Sequence, residues 1–329
     1  MMSFINDSEH LIFMDTQVRY EEPLIRLPAD DIKALVDAGI RTAMVFNFDW
    51  DTVEPVQGQR NWQYFEDRVG LLNDCGMKTL VQCFTFIPKW VPDDWCVKTS
   101  NGTVMRMISP WNFNAYHYAM NFITEHTMKF NIPGKSMSIN SWLTDGETLF
   151  PNEPCVYDDC AVGVFIDQYG HPPAVGVYDH EIAEFTLEAQ VALFSDIQST
   201  FGFNANKEIW HALHPALAGF HGNGCDNIET ILSVVKQRMP ELSINHLYCT
   251  WVQWSNYWSL MTDWKNRFGE KIWGGAEYAE GVVNTSRIAI EQGARGLLIG
   301  PCHPYTGHRR IEPWMLQNIK TAGDMWVGV

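Results

Sequence analysis

Two glutamates stand where acid–base chemistry could be done. Glu147 closes the run Thr144-Asp145-Gly146-Glu147, and Glu277 follows Gly274-Gly275-Ala276. Glycines beside both let backbone and a bound molecule approach closely. Cleaving a glycosidic bond requires two carboxyl groups flanking it. One protonates the leaving oxygen, and the other attacks the anomeric carbon or activates water. Glu147, its pKa raised by its surroundings, is the candidate acid. Glu277 is the candidate base or nucleophile, with Glu280 as a nearby competitor. A carboxyl separation of about 5.5 Å implies retention of configuration, and roughly 6.5–9.5 Å implies inversion.

Residues able to hold a sugar cluster in the same kind of place. Asp15, Asp49, Trp50, Asp145, His211, Trp251, Trp254, Tyr278 and His303 each fall at or just after an apolar strand-like run. Acids and histidines hydrogen-bond hydroxyls, and indole faces stack on the apolar side of a sugar ring. Asp15 and Asp49 would serve equally as helix-capping or structural acids, and Trp251 and Trp254 as rim packing. Trp62 and Trp90 are expected to pack. His211, His214 and His221 lack the helical H-E-x-x-H spacing of a zinc site, so neither a metal nor another cofactor is expected.

These residues need a frame, and the chain alternates short apolar runs with amphipathic segments. Strands are expected at His10–Met14, Thr42–Phe48, Met77–Phe84, Ser136–Trp142, Glu208–Leu213, Ile244–Thr250, Lys271–Ala276 and Gly296–Ile299. Helices are expected at Pro28–Ala38, Trp62–Asn73, Asn112–Lys129, His180–Thr200, Ile228–Arg238, Tyr257–Phe268, Val283–Gln292 and Pro313–Trp326. Eight such alternations imply parallel pairing with right-handed crossovers. The fold class is therefore α/β: residues 1–329 as one (β/α)8 TIM barrel, with an extended irregular loop after strand 4 from about Phe150 to Tyr178. An open doubly wound sheet would call for GxGxxG after the first strand, and none is there. In a barrel of this kind the working residues gather at the C-terminal ends of the strands.

Composition narrows the partners. Against 23 Lys and Arg stand 39 Asp and Glu, a formal net charge of -16. That balance disfavours nucleic acid, whose phosphates attract cations. No run approaches the roughly 18 apolar residues of a membrane span. The start MMSFINDSEHLIFMD lacks a signal-peptide pattern, so a cytoplasmic location is expected. A carbohydrate is the expected partner, and the oligomeric state is left open. Cys83 and Cys249 read as buried thiols, while Cys155 and Cys160 are read as thiols close enough to pair.

The segment beginning ALVDAGIRTAMVFNFDWDTVEPVQGQRNW at Ala34 and continuing through CFTFIPKWV resembles the opening of β-amylases, glycoside hydrolase family 14. Its Glu54-Pro55-Val56-Gln57-Gly58 piece is similar to the E-P-x-x-G of family 42 β-galactosidases. SINSWLTDGETLFPNEP resembles the β-amylase acid segment and GGAEYAEG the base segment. The resemblance implies a glycosidase with Glu147 as general acid, Glu277 as general base, inversion of configuration, and Asp15 holding the sugar in the cleaved subsite. Cys83-Phe84-Thr85-Phe86-Ile87-Pro88 stands where β-amylases carry a lid with a substrate-binding histidine, so starch as substrate is not implied. Two rivals share the same frame: a sugar-binding protein without turnover, and a glycosyl-transferring enzyme.

Overall fold

The computed structural model describes residues 4–15, 27–45, 50–83, 87–140, 155–177, 281–300 and 310–329, together with 179–182, 184–186, 188, 189, 192, 196 and 237. The backbone of 208–213, 243–248 and 271–276 is described as well. In chain order the elements are β1 (Leu11–Asp15), α1 (Ala29–Asp37), β2 (Thr42–Val45), α2 (Trp50–Val53), α3 (Gln63–Asp74) and β3 (Lys78–Cys83). Next come β4 (Cys96–Lys98), β5 (Val104–Ile108), α4 (Phe113–Phe130), β6 (Ser136–Asn140), α5 (Asp159–Tyr169), β7 (Glu208–Leu213) and β8 (Ser243–Tyr248). The last are β9 (Lys271–Ala276), α6 (Val282–Glu291), β10 (Gly296–Ile299) and α7 (Pro313–Met325).

Eight strands form one sheet in the order β6-β3-β2-β1-β10-β9-β8-β7, and every pairing in it is parallel. The first and last strands are hydrogen-bonded neighbours, Phe13 opposite Ile299. From that seam the order runs up the chain on one side and down it on the other. The two edge strands, β6 and β7, bring Cα atoms within 8 Å of each other. All eight expected strands are present, shifted by at most one residue at their described starts.

β1, β2, β3 and β10 carry apolar side chains on both faces, as parallel strands covered on both sides do. Alternation sorts their side chains into two layers. Ile12, Met14, Met44, Leu80, Met137, Ile139 and Leu298 form an inner layer, which Ile5 joins. Leu11, Phe13, Val45, Val81, Leu297 and Ile299 point the other way. They pack against Ile32 and Leu35 of α1, Phe65 and Leu72 of α3, Phe122 of α4, and Ile319 of α7. Burying each such side chain contributes about 1.5–3 kcal/mol. Glu9 ties the N-terminal ends of β2 and β3: Thr42 Oγ1 donates to it at 2.7 Å and Lys78 Nζ at 2.6 Å.

Three features differ from the expectations. The segment expected to be irregular after β6 contains α5. Its start is capped by Asp158, whose side chain accepts from Ala161 N at 3.1 Å. Its end is capped by Gly170 in the left-handed region at φ 82°. Flanking prolines and glycines hid this helix, whose Ala161 and Phe165 bury against Val156, Ile182 and Phe185. An antiparallel hairpin, β4 with β5, follows β3, where only a loop was expected. The short α2 follows β2. Described residues from 180 to 196 are helical, as expected. The helices expected at 228–238 and 257–268 lie almost wholly outside the described residues. Cys160 is an unbridged thiol.

Candidate active site

Asp15 ends β1 and is 3% exposed. It shares a face with Leu11 and Phe13, so it points toward the helices. There Arg68 of α3 donates to both carboxylate oxygens, Nε to Oδ2 at 2.7 Å and NH2 to Oδ1 at 2.5 Å. Arg68 is itself buried and also donates to the Leu27 carbonyl at 2.9 Å. A bidentate fork of this kind fixes geometry as well as charge. The sugar-holding role expected of Asp15 therefore meets a carboxylate already engaged on the far side of its strand from the inner layer. Arg68 was not foreseen. Its signal was a charge set in the apolar stripe Phe65, Val69 and Leu72 of α3.

Trp50 was expected to offer a stacking face, but it is 0% exposed. Its ring stacks on Phe122 at 5.1 Å and meets Trp90 edge-on at 5.9 Å. Trp62 packs as expected, also stacked on Phe122 at 5.1 Å. The indole of Trp50 donates through Nε1 to Glu54 Oε2 at 2.8 Å. Glu54 collects three more donors: Arg60 Nε at 2.9 Å, Gly58 N at 2.7 Å, and the Tyr118 hydroxyl. Burial pushes the Glu54 carboxyl up, but the four donors outweigh it and hold the group below the usual carboxylate range. The Glu54 carbonyl accepts from Trp90 Nε1 at 2.7 Å.

This arrangement gives the E-P-x-x-G piece a physical meaning. Gly58 adopts φ 75° and aims its N–H back at the Glu54 side chain, closing the turn. Arg60 continues the chain of charges to Glu125 of α4 at 2.8 Å. Glu54 thus joins the segment after β2 to helix α4 through its buried carboxylate, and to the segment after β3 through its backbone carbonyl. Its chemistry is that of a scaffold, because every described lone-pair direction is occupied by a donor.

The end of the chain is fastened in a similar way. Arg310, which follows the segment leading from β10, donates to Asp31 of α1 through Nε at 2.7 Å and NH2 at 2.9 Å. Those bonds, with the Ile311 N–H at 3.0 Å, hold the Asp31 carboxyl below its ordinary range. Among the described residues no group of His, Cys, Asp or Glu is arranged to hold a metal ion. No described helix is long and apolar enough to cross a membrane.

The remaining expected site residues fall elsewhere. Glu147, Glu277, Asp49, Asp145, Trp251, Trp254, Tyr278 and His303 lie outside the described residues. His211 is described by its backbone, in β7 opposite His246 of β8. The strands that lead to the two glutamates are described. Asn140 ends β6 seven residues before Glu147, and Ala276 ends β9 immediately before Glu277.

Comparison with known proteins adds to this geometry. The model of the glycoside hydrolase family 42, described as β-galactosidase, matches residues 24–162. β-Galactosidase Bga of Halorubrum lacusprofundi is 27% identical over 152 residues, covering 43% of this chain and 21% of that protein. This chain resembles (β/α)8 glycoside hydrolases. Among solved structures, the catalytic domain of β-amylase from Paenibacillus polymyxa aligns with a TM-score of 0.61 at 13% identity, over 92% of this chain and 97% of that one. The β-galactosidase structure from H. lacusprofundi aligns with a TM-score of 0.65 at 13% identity, over 98% of this chain and 58% of that one. The chain thus matches about a fifth of the curated relative's length by sequence and spans little more than half of the solved β-galactosidase. The sequence likeness is concentrated in the half that contains the Glu54 scaffold.

Proposed function

We propose that the chain is a glycosidase acting on the O-glycosidic bonds of an oligo- or polysaccharide. Its sheet closes between β6 and β7 into a (β/α)8 barrel, and Glu147 and Glu277 face each other across the mouth. The cyclic strand order, with the first and last strands paired, carries this reading. An open doubly wound sheet has no reason to pair its first and last strands. Round a closed ring β6 and β9, the strands that lead to the two acids, are separated by β7 and β8, a spacing that supports the pairing. The family model supports the reading too, because its match runs through Glu147.

Glu147 protonates the leaving oxygen and Glu277 drives the attack. Inversion, the outcome carried by the β-amylase likeness, makes Glu277 the base that activates water. Retention would make it the nucleophile. Proton NMR of the first-formed product anomer distinguishes these. Glu147→Gln and Glu277→Gln are each expected to remove nearly all hydrolysis of aryl glycosides, with unfolding temperatures unchanged. Full activity in either variant refutes the assignment. Binding of an oligosaccharide by the parent protein without turnover would replace it with a sugar-binding role.

A further inference from the structure

Gln82 is a polar residue in an apolar layer. It is the next-to-last residue of β3, and Leu80, two residues earlier, belongs to the inner layer. Its register partner on β6 is Ile139, also of the inner layer. Alternation therefore sets Gln82 on the inner face, at the end of the strand where a barrel of this kind does its chemistry. The residue is 1% exposed, and its Oε1 is buried with no hydrogen-bond partner. The described apolar members of that layer toward the same face are Met14, Met44, Met137, Ile139 and Leu298.

Packing gives no reason for an amide here. Met would fill a similar volume without a carbonyl to satisfy, and a buried acceptor left alone destabilises the fold. Residues that cost stability in this way are retained where they serve a site. The missing partner must be a hydrogen-bond donor. A sugar hydroxyl is such a donor, and it can also accept from the amide N–H2. β3 pairs directly with β6, the strand that leads to Glu147, and Cys83 is opposite Asn140. A hydroxyl held by Gln82 would belong to the ring presented to the proposed acid.

We infer that Gln82 is a substrate-positioning residue whose side-chain amide binds one hydroxyl of the sugar at the inner end of the cleft. The inference rests on the glycosidase reading above and assigns a contact within that site. The test is Gln82→Met, assayed by thermal unfolding and by hydrolysis of 4-nitrophenyl glycosides, including a series lacking one ring hydroxyl at a time. The variant is expected to unfold at the parent temperature or higher, because a stranded acceptor is gone. Its kcat/KM on the full sugar is expected to fall 10- to 100-fold. On the one deoxy sugar that lacks the partner hydroxyl, parent and variant are expected to agree within about twofold. Equal kcat/KM on the full sugar, or an equal loss on every deoxy analogue, overturns the inference while leaving the glycosidase reading intact. If the parent protein hydrolyses none of the glycosides, the glycosidase reading fails separately. Gln82 is then judged by saturation-transfer NMR with methyl β-D-galactoside and maltose. A signal from the parent that is lost in Gln82→Met supports the contact. No parent signal, or equal signals, refutes it.

Discussion

Replacing Glu54 by Gln isolates the scaffold carboxylate at nearly constant shape. Oε1 accepts from Gly58 and Tyr118, and Oε2 accepts from Trp50 and Arg60. An amide keeps one accepting oxygen and turns the other into a pair of donors. Two of the four donors then meet N–H groups. A hydrogen bond to a charged group contributes about 1.5–3 kcal/mol, so losing two costs about 3–6 kcal/mol. At about 2 °C per kcal/mol for a chain of this size, Tm at pH 7 falls by roughly 6–12 °C. The pH dependence gives a second check. The folded Glu54 carboxyl lies below its unfolded value of about 4.3. Its contribution is therefore complete above that value and lost as pH falls through the folded pKa. The Tm gap between parent and Glu54→Gln, followed by circular dichroism from pH 7 to pH 3, is expected to narrow below about pH 4.3. A gap under about 2 °C at pH 7, or one that persists undiminished at pH 3, refutes the account of Glu54 as a four-donor hub.

Two other buried groups make comparable tests. Arg68→Met leaves the Asp15 carboxylate buried without its fork and is expected to cost about 3–5 kcal/mol, measured by urea unfolding. Asp15→Leu combined with Arg68→Met recovers most of that loss, and a double variant no more stable than Arg68→Met would contradict the pairing. His126 is fully buried on the inner face of α4 with Nδ1 2.8 Å from Ser138 Oγ, and burial lowers its pKa to about 3. The unfolded imidazole binds a proton near 6.5, so this group's contribution to stability is complete above that value and declines as pH falls toward 3. Its imidazole resonances are expected to stay those of the neutral ring at pH 5, and titration near pH 6 would show that it is not buried as described.

The strand positions were legible because each strand is a short apolar run ended by a breaker, a property of local sequence alone. Alternation with helices announced parallel pairing for the same reason. α5 escaped because its own residues are helix-compatible but its neighbours are prolines and glycines. The E-P-x-x-G piece was visible as a pattern, yet its purpose was not. Gly58 is local to Glu54, whereas Tyr118 lies 64 residues away and Trp90 lies 36 away. Contacts at such separations leave no period in the sequence.

The run HLIFMD therefore declares a strand and places an acid at its end, and its residues determine that much unaided. They do not say which way Asp15 points. Both faces of a parallel strand are apolar, so alternation supplies two sets of residues without naming the inner one. Pairing with Arg68 on one side, and the Met14 layer on the other, made that choice. The same parity decides that Gln82 faces inward. Residue types and spacing determined the strands and the candidate acids. Tertiary packing alone decided which polar groups are consumed in holding the frame, because that depends on what the opposing helix brings to each face.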